Sequence, residues 1–239
     1  MINIIKIEFL KSKRTSVNKF IVVVPLVALL ASFSWGGGQN GAYNWWYTLF
    51  LPGMLAIISS SIMTREKGLS YKGLFLYSID KKDIWLGKII YISILLIMTS
   101  LIFMIGIMGV GLIGKPTIPL RANILGTIIL IIMFLFQIPV SLFLTIKFNM
   151  FVNVLFNIAM TVLGVVSFGT NTFLEFSPYG LPSSLMVPIL KILPNGLPVP
   201  ENSPLLNGEN IIPGIMINMV TFFILTALTT LWFQNKEID

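Results

Sequence analysis

Residue types that commonly carry catalysis and metal binding are missing from this sequence. The 239 residues include no cysteine and no histidine. Disulfides, Cys/His zinc sites and histidine-dependent catalytic triads therefore cannot form within the chain. No pattern assigns a catalytic residue or a metal ligand, so the chemistry left to the chain is hydrogen bonding, ion pairing and apolar contact.

Uncharged polar side chains lie inside long apolar stretches. The amides in this position are Gln137, Asn153, Asn157 and Asn218. Two roles are open to them: hydrogen bonds between neighbouring helices, or the lining of a path for a solute. The interiors of the same stretches hold no charged residue, and carriers driven by protons or sodium usually depend on such groups. The sequence therefore argues against an ion-driven carrier.

A second group of candidate residues lies in the segment 64–84, which mixes both signs of charge with apolar residues. A purely solvated loop would not need the apolar residues. The pattern predicts a short amphipathic helix that either docks on a partner protein or lies on the lipid surface. The candidate contact residues are Glu66, Lys67, Gly68, Lys72, Leu74, Phe75, Tyr77, Asp80, Lys81 and Asp83.

Residues 109–116 nearly match a phosphate-binding loop but lack its chemistry. Pro116 follows Gly114 and Lys115 where the motif requires a Ser or Thr to bind magnesium. The stretch also ends an apolar run, whereas the motif follows a strand. We expect no nucleotide here and expect the glycines to allow close packing between helices.

The overall composition places the chain in a membrane. Hydrophobic residues make up 56% of it and charged residues only 10%, against roughly 25% charged in soluble domains. The mean hydropathy is +0.91. A soluble protein of this composition would expose large apolar patches and aggregate. We therefore predict an all-α, polytopic membrane protein.

Charge-free stretches define the membrane spans, since a spanning helix needs about 20 apolar residues. Residues 35–41 contain four glycines and are expected to break the first long stretch into two spans. Lys88, in the first turn of the third span, is expected to snorkel towards water. The six predicted spans lie near 19–35, 43–63, 85–113, 122–146, 150–170 and 211–233.

The basic residues predict how the chain is oriented. Thirteen of the sixteen Lys and Arg residues fall on one side of the six spans, and only Lys115, Arg121 and Lys191 fall on the other. Because basic loops stay in the cytoplasm, both termini and the segment 64–84 are expected there. The net charge of +7 is thus a sign of topology, and no nucleic-acid partner is expected.

Two further segments lie outside the predicted spans. Residues 1–18 space Ile2, Ile5 and Phe9 as on one helical face among basic residues, which predicts an interfacial helix or, alternatively, a basic tail that only sets topology. Residues 171–210 are rich in proline and are expected to form a loop or broken helix that dips into the outer leaflet or packs over the bundle.

These features together resemble the permease subunits of type-2 ABC exporters. The closest likeness lies after the second span: Glu66 and Gly68, the apolar stretch 74–78, and Gly87-Lys88 leading into the third span. The whole chain is also similar to lantibiotic-immunity permeases of the epidermin and mutacin type. That likeness rests on length, span order, the Gly-rich turn before Trp45-Trp46 and the Pro-rich loop before the last span.

The resemblance implies a transport subunit that is not itself an enzyme. The segment 64–84 would be the coupling helix, seated in a groove of a separate ABC ATPase present in two copies. ATP and magnesium would bind to that ATPase, and this chain would need no cofactor. A second permease, identical or different, would complete the exporter. The substrate would be a lantibiotic or similar peptide expelled from the bacterial plasma membrane.

Two other functional classes remain open from the sequence. The chain could be a non-transporting scaffold or sensor partner, or it could be an exporter of another amphipathic substrate. A passive channel is less consistent with the residues, because nothing charged lines the spans to select an ion.

Overall fold

The computed structural model of the chain describes residues 1–13, 15–34, 37–68 and 80–236. Helices dominate these residues, and the only β-pairing among them is an isolated bridge between Ile192 and Pro198. Apolar runs in lipid favour helices because every backbone polar group must be paired within the segment. In chain order the α-helices are α1 (Ile2–Ser12), α2 (Val17–Ser34), α3 (Gly38–Trp45), α4 (Leu51–Gly68), α5 (Lys81–Ile113), α6 (Leu120–Phe134), α7 (Gln137–Lys147), α8 (Met150–Val166), α9 (Leu181–Leu190) and α10 (Ile211–Gln234).

Four helical stretches among the described residues are long and apolar enough to cross a membrane. They are Gly38–Arg65, Lys81–Ile113, Leu120–Lys147 and Ile211–Gln234. A fifth candidate arises when α1 and α2, which meet at 74°, are taken together, and α8 is a shorter apolar helix. The all-α membrane fold is therefore confirmed, while the full set of six crossings stays a prediction.

The helix boundaries differ from the predicted spans most clearly at the glycine-rich turn. Helix α3 begins at Gly38, so part of the stretch expected to break the helix is itself helical. Gln39 supplies the reason. Its Nε2 donates to the Ile107 carbonyl at 2.9 Å, and its Oε1 accepts from the backbone N–H groups of Thr117 and Ile118. These bonds hold the start of α3 against the end of α5 and the turn that follows it.

Two spans are interrupted near their middles. A π-helical segment, Trp46–Phe50, joins α3 to α4, and a short break separates α6 from α7. Pro52 and Pro139 lie just after these two interruptions, and each lacks the N–H that would bond to a carbonyl of the preceding turn. The two interruptions are linked, since Gln137 Nε2 donates to the Pro52 carbonyl at 2.7 Å.

Helix α4 lies at the centre of the bundle. Leu51, Leu55, Ile58 and Ile62 on this helix are all 0% exposed, and α2, α7 and α8 pack around it. Helix α10 is peripheral by comparison, with Ile212, Met216 and Phe223 each more than half exposed. Apolar side chains on such an outer face suit a lipid environment.

The bundle has two chemically different ends. At one, which we call the basic end, α1 meets the end of α4 and the start of α5, and Lys81 reaches the end of α10. At the other, the loop end, α3 contacts the turn after α5, and the turn after α8 leads into α9. Helix α9 is buried against the bundle, with Leu185, Met186 and Val187 at most 2% exposed.

Candidate functional site

A buried carboxylate joins three helices at the basic end. Glu8 of α1 is only 2% exposed, and its Oε1 accepts a hydrogen bond from Lys88 Nζ at 2.7 Å. Its Oε2 accepts from Arg65 Nη2 at 3.2 Å. We call Glu8, Arg65 and Lys88 the Glu8 cluster. Because both carboxylate oxygens are bonded to cations, the cluster compensates charges that would be costly to bury alone.

A glycine brings α1 close enough to form this cluster. A Cβ added at Gly87 would lie 2.5 Å from Ile4 Cγ2, so only glycine allows α1 to pack this closely on α5. Ser12, at 0% exposure, also faces inward and accepts a hydrogen bond from Arg65 at 3.4 Å. Helix α1 therefore presents a polar face to the protein.

Several apolar residues of α1 point away from the bundle. Ile2 and Phe9 are 71% and 51% exposed, while Ile5 is partly buried against the core. The predicted helix is present, and the face carrying Ile2 and Phe9 is free to contact lipid. Its position on the membrane surface stays a prediction.

The expectation that Lys88 snorkels to water is wrong in this structure. Lys88 is 0% exposed, because Glu8 lies within hydrogen-bonding distance and replaces the water that the ammonium group would otherwise reach. The cost of dehydrating the lysine is offset by a charge-assisted hydrogen bond.

The predicted coupling residues divide into three groups. Helix α4 continues through Glu66, Lys67 and Gly68. Asp80, Lys81 and Asp83 lie at the start of α5, where Asp80 is the N-cap and Asp83 lies in the first turn, a position that favours acidic residues. The rest lie outside the described residues: Lys72, Leu74, Phe75 and Tyr77.

Lys81 ties the start of α5 to the end of α10. Its Nζ donates to the carbonyls of Gln234 at 3.3 Å and Lys236 at 2.7 Å. A cation at these carbonyls also suits the negative end of the α10 dipole. One turn along, Trp85 Nε1 donates to Thr229 Oγ1 at 3.1 Å, and the Trp85 ring stacks on Phe233. The base of the 64–84 segment is thereby attached to α1 on one side and α10 on the other.

Two of the predicted pathway residues belong to a hydrogen-bonded group between α4, α7 and α8, which we call the amide network. Asn153 Nδ2 donates to the Ala56 carbonyl at 3.0 Å and to Ser60 Oγ at 2.9 Å. Asn157 Nδ2 donates to Asn153 Oδ1 at 2.7 Å. The amide network consists of Ser60, Ser141, Thr145, Asn153 and Asn157.

The other two predicted pathway residues are buried in separate places. Gln137 bonds to the Pro52 carbonyl, as described above. Asn218 of α10 donates to the Met133 carbonyl at 3.0 Å and the Pro178 carbonyl at 3.3 Å. All four amides are 0% exposed and hold helices together in this conformation. A role in lining a substrate path stays a prediction.

The glycines of the false phosphate loop also differ from one another. A Cβ at Gly111 would lie 2.5 Å from Gln39 Nε2, whereas one at Gly109 would meet nothing within 4 Å. Close packing therefore explains Gly111 and leaves Gly109 without a packing role.

Sequence reasoning did not single out Glu8. The signal was present, since Glu8 is the only acidic residue among the first 18. A lone acid in a strongly basic segment is a candidate ion-pair partner, but its partners Arg65 and Lys88 are far away in sequence. Only the packing of α1 shows which cations it meets.

Comparison with known proteins identifies the family. A family described as ABC-2 family transporter protein matches residues 4–169, which is more than half of the chain. The match includes the Glu8 cluster and the amide network. No curated protein and no solved structure matches the chain.

The permeases of this family form the membrane part of ABC transporters and work with an ABC ATPase subunit. The apolar helices described above are consistent with such a subunit, as is the family match from α1 through α8. The chain thus belongs to the ABC-2 family of transporter proteins, as a membrane permease subunit.

Proposed function

We propose that this permease expels a lantibiotic or similar cationic antimicrobial peptide from the membrane of a bacterial cell, driven by a separate ABC ATPase. Two ATPase copies and a second permease, identical or different, complete the exporter. The basic end faces the cytoplasm, with both termini on that side. Such a peptide is held in the outer leaflet by burial of its apolar face.

The observation that carries the coupling part of this proposal is the Glu8 cluster. It joins α1 to both helices that flank the segment 64–84, and Lys81 adds α10. An ATPase that pushes on this segment would therefore displace α4 and α5 together with α1. Rigid-body movement of packed helices is a common way to transmit such a push across a membrane protein.

The proposed contacts with the ATPase are the polar residues Glu66, Lys67, Lys72, Asp80, Lys81 and Asp83, with Leu74, Phe75 and Tyr77 in an apolar socket. We expect the double substitution Glu66→Ala with Phe75→Ala to uncouple the two subunits. The variant should insert and purify as the wild type does. It should retain less ATPase on co-purification and lose peptide-stimulated ATP hydrolysis in liposomes by at least about tenfold, equal to about 1.4 kcal/mol.

A matched control also removes one glutamate and one large apolar residue, but at the loop end: Glu201→Ala with Leu197→Ala, both exposed. This control should keep the ATPase bound and its hydrolysis stimulated. Coupling that survives in the Glu66/Phe75 variant would refute the coupling assignment. If the wild-type protein bound no ATPase, that result would favour the alternative that the chain is a membrane scaffold.

A further inference from the structure

A cleft of about 300 Å³ opens at the loop end, away from the Glu8 cluster and the amide network. It lies between the turn after α8, helix α9 and the start of α10. Its walls combine apolar and polar residues, and the apolar ones include Phe168, Phe176, Leu185 and Ile217. A Cβ at Gly214 would lie 2.9 Å from Leu185 Cδ1, so the glycine allows α10 to pack closely against α9 at this cleft.

One carboxylate lines this cleft. Glu175 is 8% exposed, and its two oxygens accept hydrogen bonds from the backbone N–H groups of Gly169 and Asn171, each at 2.9 Å. Both of those residues have positive φ, +76° and +54°, which turns their N–H groups towards the carboxylate. The turn after α8 is therefore built to hold an anion in a fixed place.

No cation compensates this anion within the described part of the chain, where no Lys or Arg nitrogen forms an ion pair with Glu175. Two backbone hydrogen bonds offset only part of the cost of removing a carboxylate from water. The contrast with Glu8 is direct, since Glu8 is buried to the same degree and contacts cations. The cleft thus holds a negative charge that a ligand can complement.

The surrounding segment has the same sign of charge. Residues 171–210 contain Glu175, Glu201 and Glu209 but only one basic residue, Lys191, which gives a net charge of −2 in a chain whose net charge is +7. Lys115 and Arg121 also lie at the loop end and bring its total charge to zero, so the excess of negative charge is local to this segment.

Asn171, Asn207 and Asn210 also line the cleft. Each has both donor and acceptor atoms, so it can pair with the N–H and C=O groups of a peptide backbone. A lipid tail offers no such groups. The combination of apolar side chains, a buried carboxylate and three lining asparagines favours a peptide over a lipid.

We propose that this cleft binds a cationic, amphipathic peptide, with a lysine ammonium group at Glu175 and a neighbouring apolar side chain against Phe176 and Ile217. This inference rests on the proposed function, because it assigns the entry site for the peptide substrate proposed there. It adds a location, a recognition residue and a requirement for positive charge.

The test compares two probes on the purified permease in nanodiscs of phosphatidylcholine, without the ATPase. One probe is a short fluorescent peptide of alternating leucine and lysine, and the other is the same peptide with its lysines acetylated, which removes their charge. Empty nanodiscs give the background. We expect the wild type to bind the cationic probe about tenfold more tightly, as a charge-assisted hydrogen bond of about 1.5 kcal/mol would give.

Substitution of Glu175→Gln should reduce this preference to near unity and leave binding of the acetylated probe unchanged. The matched control Glu201→Gln removes a charge from the same segment outside the cleft lining and should retain the tenfold preference. Equal binding of both probes by the wild type, or a preference that persists in Glu175→Gln, would overturn the proposal. Equal loss of both probes in that variant would also count against it, because that pattern indicates damage to the turn.

A second variant tests the cleft without altering the carboxylate. Ile217→Trp should fill the cleft and weaken both probes by at least about tenfold, about 1.4 kcal/mol, and unchanged binding would show that the peptide lies elsewhere. Phosphatidylethanolamine also carries an ammonium group, so the measurement is repeated with this lipid in the nanodisc. Displacement of the cationic probe by the lipid would assign the cleft to lipid instead and refute the peptide site.

Failure here and failure of the proposed function are distinguishable. The binding measurement contains no ATPase and no nucleotide, whereas the coupling experiment measures hydrolysis. Charge-selective binding with no ATPase coupling would leave this site standing and refute export. ATPase coupling without charge-selective binding would support the export proposal and refute this peptide site.

Discussion

At the scale of single residues, two buried glutamates differ in the partners that bind their carboxylates. Glu8 and Glu175 are 2% and 8% exposed. Glu8 pairs with Lys88 and Arg65, while Glu175 is held by backbone N–H groups. A buried anion that is paired serves the structure, and one without a cation in the described residues offers a charge to a ligand.

The Glu8 cluster gives a prediction for stability. Glu8→Gln keeps the shape of the side chain but leaves Lys88, at 0% exposure, without its anion. Removing one partner of a buried ion pair typically costs about 3–5 kcal/mol. We therefore expect the free energy of unfolding to fall by an amount near the lower end of this range. Denaturant unfolding in detergent, followed by tryptophan fluorescence, measures it.

The exposed Lys13→Gln on the same segment is the control and should change the unfolding free energy by less than about 0.5 kcal/mol. The double variant Glu8→Gln with Lys88→Gln should recover much of the loss, because it also removes the buried ammonium group that pairs with Glu8. Equal stability of Glu8→Gln and Lys13→Gln would show that the pair contributes nothing.

At the scale of helices, glycines decide where two elements can approach each other closely. Gly87 admits Ile4 of α1, and Gly164 of α8 lies against Gly180 in the turn before α9. At Gly164 an added Cβ would come within 2.7 Å of the Gly180 backbone. The backbone of a packed turn has no alternative rotamer, so such a contact cannot be relieved by a side-chain movement.

We therefore expect Gly164→Ala to destabilise the protein by about 1–3 kcal/mol, the usual cost of overpacking. Gly109→Ala is the matched control, since it is also a helical glycine but meets nothing within 4 Å. It should be neutral or stabilising by up to about 1 kcal/mol, the difference in helix propensity. Thermal unfolding of both variants in the same detergent tests the contrast, and a Gly164→Ala variant as stable as Gly109→Ala would contradict it.

At the scale of the whole molecule, the two ends of the bundle differ in charge. The basic end carries the Glu8 cluster and Lys81, whereas the segment 171–210 at the loop end has a net charge of −2. The rule that basic loops remain inside the cell therefore predicts a cytoplasmic basic end and an external loop end.

Orientation can be measured cleanly because the chain has no cysteine of its own. Lys82→Cys and Glu201→Cys place single thiols at exposed positions on the basic and loop ends. A maleimide that cannot cross membranes should label Glu201→Cys in intact cells and Lys82→Cys only after lysis. The opposite pattern would invert the predicted topology and place the loop-end cleft inside the cell.

The sequence alone was sufficient to predict an all-α membrane protein, its family resemblance and the approximate location of its apolar helices. The reason is that hydrocarbon imposes a simple requirement, a long apolar run with all backbone groups paired internally. The glycine content of residues 35–41 was a less reliable guide to where a helix ends. Helix α3 begins at Gly38, and the long-range hydrogen bonds of Gln39 hold its first turn in place.

Only the tertiary structure decided which polar groups meet. Glu8 and Lys88 are 80 residues apart in the chain, and Asn218 reaches carbonyls on two other elements. A hydrogen bond or ion pair depends on a distance of about 3 Å, which the packing of helices sets and residue order does not reveal. For the same reason the cleft around Glu175 could not be read from the Pro-rich segment, since its walls come from the turn after α8, from α9 and from α10.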